Sequence, residues 1–327
     1  MKDRILELLR QESGYLSGQE MSTLLGVSRA AVWKAVEALR KEGYTIDSAP
    51  NRGYHLDAPT GRLSAREIAA RLDGHPWAEL VQVLDSVDST NNLAKTLAAQ
   101  GAPVGTVIVA DSQTGGRGRM GRSFVSPPGV GVYLSVILRP EAPPEELMHL
   151  TCAVAEVLCH GIEVASGLRP GIKWTNDLVS GGRKLCGILT ELSLEAESGH
   201  VQYAVVGAGV NCDQTLSDFP PEIRDMAGSL SMLTGKAVSR NTLAAEMIRA
   251  LSRLDGDLVE NRQEWMDRYR RDCVTIGRAV SVSRAGETRW GQAVDVDDRG
   301  ALLVDFGQGP EAVQSGEVSV RGMYGYV

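Results

Sequence analysis

The sequence predicts an α+β protein built in three parts. Three observations predict it. The first 57 residues pattern as short amphipathic helices followed by an alternating hairpin. The middle of the chain mixes strand-like runs with helices, and the last stretch carries short strands and turns at regular spacing. At 327 residues the chain is long enough for two or three domains with a sizeable core. The expected division is 1–62, a helix-rich domain with its linker; 63–272, a mixed or antiparallel sheet with helices; and 273–327, a small β-barrel.

The elements follow in order. Ile5, Leu6, Leu8 and Leu9 give a first helix its apolar face. Ser17-Gly18-Gln19-Glu20 is a capping box that opens a second helix, which carries Met21, Leu24 and Leu25 and breaks at Gly26. Ser28 can cap a third, RAAVWKAVEALRKEG, with Val32, Val36 and Leu39 on one face. YTIDSAPNRGYHL then alternates like two strands around Asn51-Arg52-Gly53. Helix, helix, glycine turn, helix and β-wing is the plan of a winged helix-turn-helix, whose third helix enters the DNA major groove. Ser28, Arg29 and Lys34 lie at or near the start of that helix, where base contacts are made, and Arg52 lies at the wing tip, where a phosphate contact is natural. The bland alternative is a small helical protein-interaction module. Residues 1–57 balance 8 basic against 8 acidic side chains, so one copy should bind DNA weakly and a dimer would help.

After the linker APTGRLSA come a helix, AREIAARL, and a strand, VQVLDSV. DSTNNLAKTLAAQG places Ser89, Thr90 and Asn91 at a helix start, where they cap the helix or bind a polar ligand with it. GTVIVAD is a strand, and GGRGRMGRSF follows it closely. Gly116, Gly118 and Gly121 fit G-x-G-x-x-G, but the dinucleotide fingerprint needs a helix opening at its last glycine. Here Pro127-Pro128-Gly129 makes a turn and VYLSVIL makes a strand, so that reading fails. What remains is a solvated basic loop or an anion-binding loop. Glycine lets backbone N–H groups approach a ligand, and arginine forks match carboxylate and phosphate oxygens.

IKWTNDLVSGGRKLCGILTEL turns at Ser180-Gly181-Gly182-Arg183, which puts Lys184 at the start of the return strand and Asn176 and Asp177 before the turn. VQYAVVGAGVNCD is a further strand ending at Asn211. Helices run to about Arg271, and the block from Gly277 looks like the small barrel.

Composition excludes several classes. The net charge of −7 rules out a protein basic throughout, though not a local basic patch. Five cysteines with no C-x-x-C pair fit a reducing cytosol rather than a disulfide scaffold, and Cys152 and Cys159 read as buried thiols. Charges inside MKDRILELLRQES argue against a signal peptide, and no run is expected to reach the ~20 apolar residues of a membrane span. The five histidines make no catalytic pairing and no zinc spacing, so no metal ligands are assigned. Cations, amides and hydroxyls remain. They suit an anion whose developing charge must be neutralised, as in phosphoryl and adenylyl transfer.

GRGRMGR, followed by SP and a YLS strand, then KWTNDL, RKLCGILTEL, GAGVN and GEVSVR, resemble in order the motifs of biotin–protein ligases. With SRAAVWKAVEALRKEGY and NRGYHL in front, essentially the whole chain resembles the bifunctional type, both ligase and biotin operon repressor. The resemblance implies a central domain like the class II synthetases and a C-terminal barrel of SH3 type. It implies ATP with Mg²⁺ and biotin as substrates, and biotin carboxyl carrier protein as acceptor. It implies operator DNA and a second copy of the chain as partners, a cytoplasmic location and no membrane.

Residue by residue, Ser89, Thr90, Asn91 and Gln113 resemble the lining of the biotin pocket. Arg117, Gly118 and Arg119 resemble the loop that folds over biotin and the adenylate. Lys184 resembles the lysine that contacts biotin's carboxylate and the transferred phosphate. Arg122, Phe124, Asn176, Asp177, Asn211 and Arg321 resemble nucleotide-side residues, and Asp177 is the candidate to help deprotonate the acceptor amine. The chain departs from the family pattern where Thr175 replaces a usual proline and Phe124 a frequent tryptophan. The second change keeps an aromatic face for adenine, whereas the first removes a fixed φ beside Asn176. Two rivals stand beside this reading: a lipoate–protein ligase, and a biotin-sensing regulator without ligase activity.

Overall fold

The structure, a computed structural model, describes residues 1–11, 15–41, 44, 46–49, 52–56, 61–195, 197, 199–284, 287–314 and 319–322. The chain divides into two compact units, Met1–Arg62 and Leu63–Val327.

The first unit holds helices α1 (Lys2–Gln11), α2 (Gly18–Leu25) and α3 (Arg29–Lys41) and the antiparallel hairpin β1 (Ile46–Ala49) and β2 (Gly53–Leu56). The capping box at Ser17 forms as expected: Glu20 N donates to Ser17 Oγ at 3.1 Å, and Ser17 N donates to Glu20 Oε2 at 2.9 Å. Gly26 ends α2 in the left-handed region, φ 65°, which a side chain would resist. Val32, Ala35, Val36 and Leu39 recur at helical spacing and pack on Ile5, Leu6, Leu9 and Met21. Leu16 adds a bridge to Tyr54, so a third segment lies along the wing. Gly53 permits this approach, since a Cβ there would lie 2.2 Å from the Leu16 carbonyl oxygen.

The second unit is built on a seven-stranded sheet among the described residues. It comprises β3 (Val81–Leu84), β4 (Val107–Ala110), β5 (Gly131–Leu138), β6 (Gly171–Lys173), β7 (Asp177–Ser180), β8 (Arg183–Leu194) and β9 (Val201–Asn211), in the order β3-β4-β5-β9-β8-β7-β6. Only β3 and β4 pair in parallel. Alternation along β5 and β9 sorts the two faces. Val132, Leu134 and Val136 with Ala204, Val206 and Ala208 face one core, built with α4 (Ala65–Leu72), α6 (Leu150–Ser166), α8 (Arg240–Ser252) and α9 (Arg262–Asp272). Ile137, Tyr203 and Val205 face the other, under α5 (Thr90–Ala99). The short α7 (Leu230–Thr234) joins β9 to α8.

Pro144–Ser166 is long and apolar enough to span a membrane, with a mean hydropathy of 1.4, which corrects the expectation that no run would be. It is a core helix with its preceding turn, 72% buried inside the protein. The C-terminal strands β10 (Ala279–Arg284), β11 (Glu287–Val296), β12 (Leu302–Asp305), β13 (Pro310–Val313) and β14 (Ser319–Gly322) form an antiparallel sheet of order β13-β12-β11-β10-β14. Val280, Val282, Ala293, Leu302 and Val304 belong to the same core as α6 and α9.

Candidate functional site

Three glycines define a bare strip on the α5 face of the large sheet. Gly187 of β8 lies directly opposite Gly209 of β9, and Gly209 lies opposite Tyr133 of β5. Gly207, two residues earlier on β9, faces the same way. Without side chains there, other groups settle onto the backbone. A Cβ on Gly209 would meet Phe124 Cε1 at 2.5 Å, and one on Gly187 would meet Phe124 Cε2 at 3.0 Å. A Cβ on Gly207 would lie 1.9 Å from Asn91 Oδ1. The strip is a groove with Phe124 over one part and the start of α5 over the other.

The inner end is polar. Ser89 is buried at the N-cap of α5, but its side chain makes no capping hydrogen bond, so capping does not explain it. Thr90 N donates to Gln113 Oε1 at 2.9 Å, and Gln113 Nε2 donates to Ser126 Oγ at 2.9 Å. Ser135 Oγ lies 2.8 Å from Thr90 Oγ1 and 2.7 Å from Asn91 Oδ1. Asn91 Nδ2 donates to Glu191 Oε2 at 2.9 Å, and Lys95 Nζ donates to Glu191 Oε1 at 2.7 Å. Burial raises the Glu191 carboxyl, but the hydrogen bonds from Lys95 and Asn91 outweigh it and hold the group below its ordinary value.

The other end is cationic. Lys184 Nζ lies 2.6 Å from Asp177 Oδ1 and 6.0 Å from the centre of the Phe124 ring. The β7–β8 turn that sets it up has Gly181 at φ 55° and Gly182 at φ 72°, as a tight hairpin turn demands. Lys184 is held by its backbone as well: its N donates to Met226 O at 2.7 Å, and its O accepts from Gly228 N at 3.0 Å. Arg119 Nη1 donates to Asn176 Oδ1 at 2.9 Å. Burial pulls the Arg119 guanidinium below the ordinary arginine value, against the opposing pull of Asp177. The loop carrying Arg119 is held at its neck, where Gly118 N donates to Arg122 O at 2.7 Å and Phe124 N to Gly116 O at 2.9 Å. It makes only a single 3₁₀ turn at Arg119–Gly121, with no helix opening at Gly121, as the failed dinucleotide fingerprint requires.

The remaining assigned residues divide. Arg117 and Arg122 are exposed on the loop. Asn176 Nδ2 donates to Ile188 O at 2.7 Å, which fixes the amide that meets Arg119. Thr175 is buried, and its carbonyl accepts from Tyr269 Oη at 3.3 Å, so packing holds the segment where proline was expected. Asn211 Nδ2 donates to Gly228 O at 2.9 Å, which uses its amide to tie β9 to the segment beside Lys184. Arg321 pairs with Ser281 in the C-terminal sheet, and its side chain lies outside the described residues.

In the first unit, Ser28 Oγ accepts from Ala31 N at 3.2 Å and caps α3, while Arg29 and Lys34 are exposed on that helix. Trp33 is 53% exposed beside them and was not anticipated. The Arg52 guanidinium lies 4.3 Å from the centre of the Tyr15 ring, a cation–π platform that the wing sequence alone did not suggest. Ser126, Ser135, Lys95, Glu191 and the glycine strip were also missed in the second unit. The spacing of two between Gly207 and Gly209 was the one signal on offer.

Among the described residues no group of three His, Cys, Asp or Glu could hold a metal ion. The site therefore combines amides and hydroxyls at one end of a groove with a lysine and an arginine at the other. That combination suits a ligand with a neutral polar head and an anionic tail, and it can neutralise charge that develops at the tail.

Known proteins resemble the chain along nearly its whole length. Residues 83–211 match the biotin/lipoate A/B protein ligase family, residues 2–55 an HTH domain, and residues 275–321 the biotin protein ligase C-terminal domain. A bifunctional ligase/repressor of Bacillus spizizenii is 35% identical over 326 residues, 98% of each chain. A biotin–[acetyl-CoA-carboxylase] ligase of Mycobacterium tuberculosis is 33% identical, across 75% of this chain and 90% of its own. The biotin protein ligase of Aquifex aeolicus, solved in complex with biotin and ATP, superposes with a TM-score of 0.64 at 28% identity, across 74% of this chain and 98% of its own. Together, the full-length likeness and the three matches in series show that the chain belongs to the family of bifunctional biotin ligase/repressors.

Proposed function

We propose that the chain is an ATP-dependent biotin–protein ligase that also represses transcription. The observation that carries the reading is the groove itself. Its polar end suits biotin's cyclic urea, and its cationic end suits biotin's carboxylate beside a triphosphate. Those two anions repel, and Lys184 and Arg119 offset the repulsion. A carboxylate oxygen attacks the α-phosphorus, an acyl–phosphate bond forms, and pyrophosphate leaves. A lysine amine of biotin carboxyl carrier protein then attacks the carbonyl of biotinyl-5′-AMP, an amide forms, and AMP leaves. Asp177 receives the amine's proton. Phe124, over the bare glycine strip, offers adenine an aromatic face, and Arg122, Asn176, Asn211 and Arg321 are assigned to the nucleotide side. Ser89, Thr90, Asn91 and Gln113 hold the urea, and Arg117 and Gly118 close over it. Mg²⁺ enters on the triphosphate as part of the substrate.

Residues 1–62 are the DNA-binding domain, 63–272 the catalytic domain and 273–327 the C-terminal domain. Ser28, Arg29, Lys34 and Arg52 contact the biotin operator. Bound adenylate orders the 115–121 loop and favours a homodimer, which places two winged helices on a palindromic site. Among the described residues β3 ends the sheet, which leaves an edge for such a contact. The working location is the cytoplasm. The test supplies purified protein with ATP, Mg²⁺ and either labelled biotin or labelled lipoate, together with an acceptor domain. Label from biotin, and not from lipoate, should appear on the acceptor. Transfer of lipoate alone would replace the reading with its closest rival.

A further inference from the structure

The wing of the first unit carries a row of side chains with no part in the groove. Leu16 N donates to Tyr54 O at 2.8 Å and Tyr54 N donates to Leu16 O at 2.9 Å, so the chain before α2 runs antiparallel along β2. That register sets Tyr15 opposite His55, and His55 is paired with Asp47 of β1. The three residues make one cross-strand row on one face of the wing. Their contacts agree: the Tyr15 and His55 rings lie 5.3 Å apart, centre to centre, and Tyr15 Oη donates to Asp47 Oδ2. That hydrogen bond holds the Asp47 carboxyl below its ordinary value. The phenol is thus tethered at both ends, by the backbone of neighbouring Leu16 and by its own hydroxyl.

The Arg52 guanidinium lies over this fixed ring, 4.3 Å from its centre. Arg52 itself is exposed at the hairpin turn, where its N donates to Ala49 O at 3.1 Å. A ring contact engages the face of a guanidinium and leaves its five N–H groups in the plane. Among the described residues no oxygen takes those groups up. An arginine loose on a turn loses rotamer freedom when it meets a phosphate, whereas one already held loses little. We propose that Tyr15 is a positioning residue for DNA, which holds the Arg52 fork at the wing tip with its edge open to a backbone phosphate. The inference rests on the DNA-binding reading above and adds to it a residue outside both the third helix and the hairpin. Tyr15 acts through Arg52 and needs no DNA contact of its own. A phosphate contact carries affinity and register rather than sequence, so Tyr15 tightens binding without choosing bases.

The experiment uses the full chain with biotin and ATP present, and a fluorescein-labelled duplex selected from a random-sequence pool by the wild-type protein. Arg52→Ala is expected to weaken binding about tenfold and to lower the slope of log Kd against log salt by about 0.9 for each copy bound. Tyr15→Leu should reproduce most of both losses, with binding about fivefold weaker, and Tyr15→Phe, which keeps the ring face, should stay within about threefold of the wild type. Tyr15→Leu added to Arg52→Ala should cost less than about twofold more, because the ring then has nothing to hold, a non-additivity that a merely structural role would not produce. A single neutral methylphosphonate, moved along the duplex, should weaken the wild type at a position where neither Arg52→Ala nor Tyr15→Leu responds. Transfer of biotin to the acceptor should be unchanged in every variant. Undiminished duplex affinity in either single variant, additivity of the pair, or the wild-type methylphosphonate pattern in Tyr15→Leu would each overturn the inference alone. A wild type that selected no duplex would overturn the DNA-binding reading as well.

Discussion

The Lys184 ammonium lies 2.6 Å from Asp177 Oδ1, so an anion that takes Lys184 must share it with that carboxylate. In the proposed reaction the two members serve different half-reactions. Lys184→Ala should slow adenylate formation by ~100-fold, the usual loss for a charge-assisted contact made in the transition state, ~3 kcal/mol. Asp177→Asn should leave adenylate formation within a few-fold and slow transfer to the acceptor. Pyrophosphate exchange and single-turnover transfer, measured on the same preparations, check both. Wild-type exchange in a folded Lys184→Ala protein would remove Lys184 from the mechanism.

Gly209→Ala should act on the nucleotide and not on biotin. Gly209 is outside the positive-φ region, so its new methyl acts only through contact, 2.5 Å from Phe124 Cε1. Overpacking of this kind costs about 1–3 kcal/mol, and here the ring can relieve it by moving off the strip. KM for ATP is expected to rise about tenfold, with biotin Kd changed by less than threefold. Steady-state kinetics at saturating biotin give the answer.

Arg29→Ala should weaken operator binding and leave ligase activity unchanged. Arg29 is exposed at the first turn of α3, in the unit Met1–Arg62 that forms its own core. A base-reading arginine typically contributes ~1–3 kcal/mol, and its loss relaxes specificity at one position. A band-shift titration beside a biotinylation assay separates the effects, and a parallel loss of biotinylation would contradict the assignment.

The buried thiols make stability sensitive to alkali. Burial pushes both Cys152 and Cys186 up to about 12, and Cys159, Cys212 and Cys273 also upward. A group raised on folding contributes stability that is intact below its unfolded value and lost as pH climbs toward the folded one. Tm should therefore fall as pH rises above ~8.5, the ordinary thiol value. Cys186→Ala should flatten that fall, and a thiol reagent at pH 8 should label the native protein slowly and the unfolded protein at once.

Much of this was legible in the sequence because it is local. The Ser17–Glu20 capping box, the Gly26 stop and the Gly181-Gly182 turn each depend on residues within a few positions, and all form as read. The groove was not legible, because it exists only in the register of β8 against β9, which sets Gly187 opposite Gly209. Glu191 meets Asn91 across 100 residues of chain, and no spacing rule connects them. Pro144–Ser166 was under-read because its apolar character reflects burial on every side, which periodicity cannot separate from a span.

The most direct test of the central claim is ATP–pyrophosphate exchange by the purified full chain, with biotin, with lipoate and with neither. The account predicts exchange with biotin alone, lost in Lys184→Ala. Exchange supported by lipoate and not by biotin, or none with either in a folded protein, would contradict it.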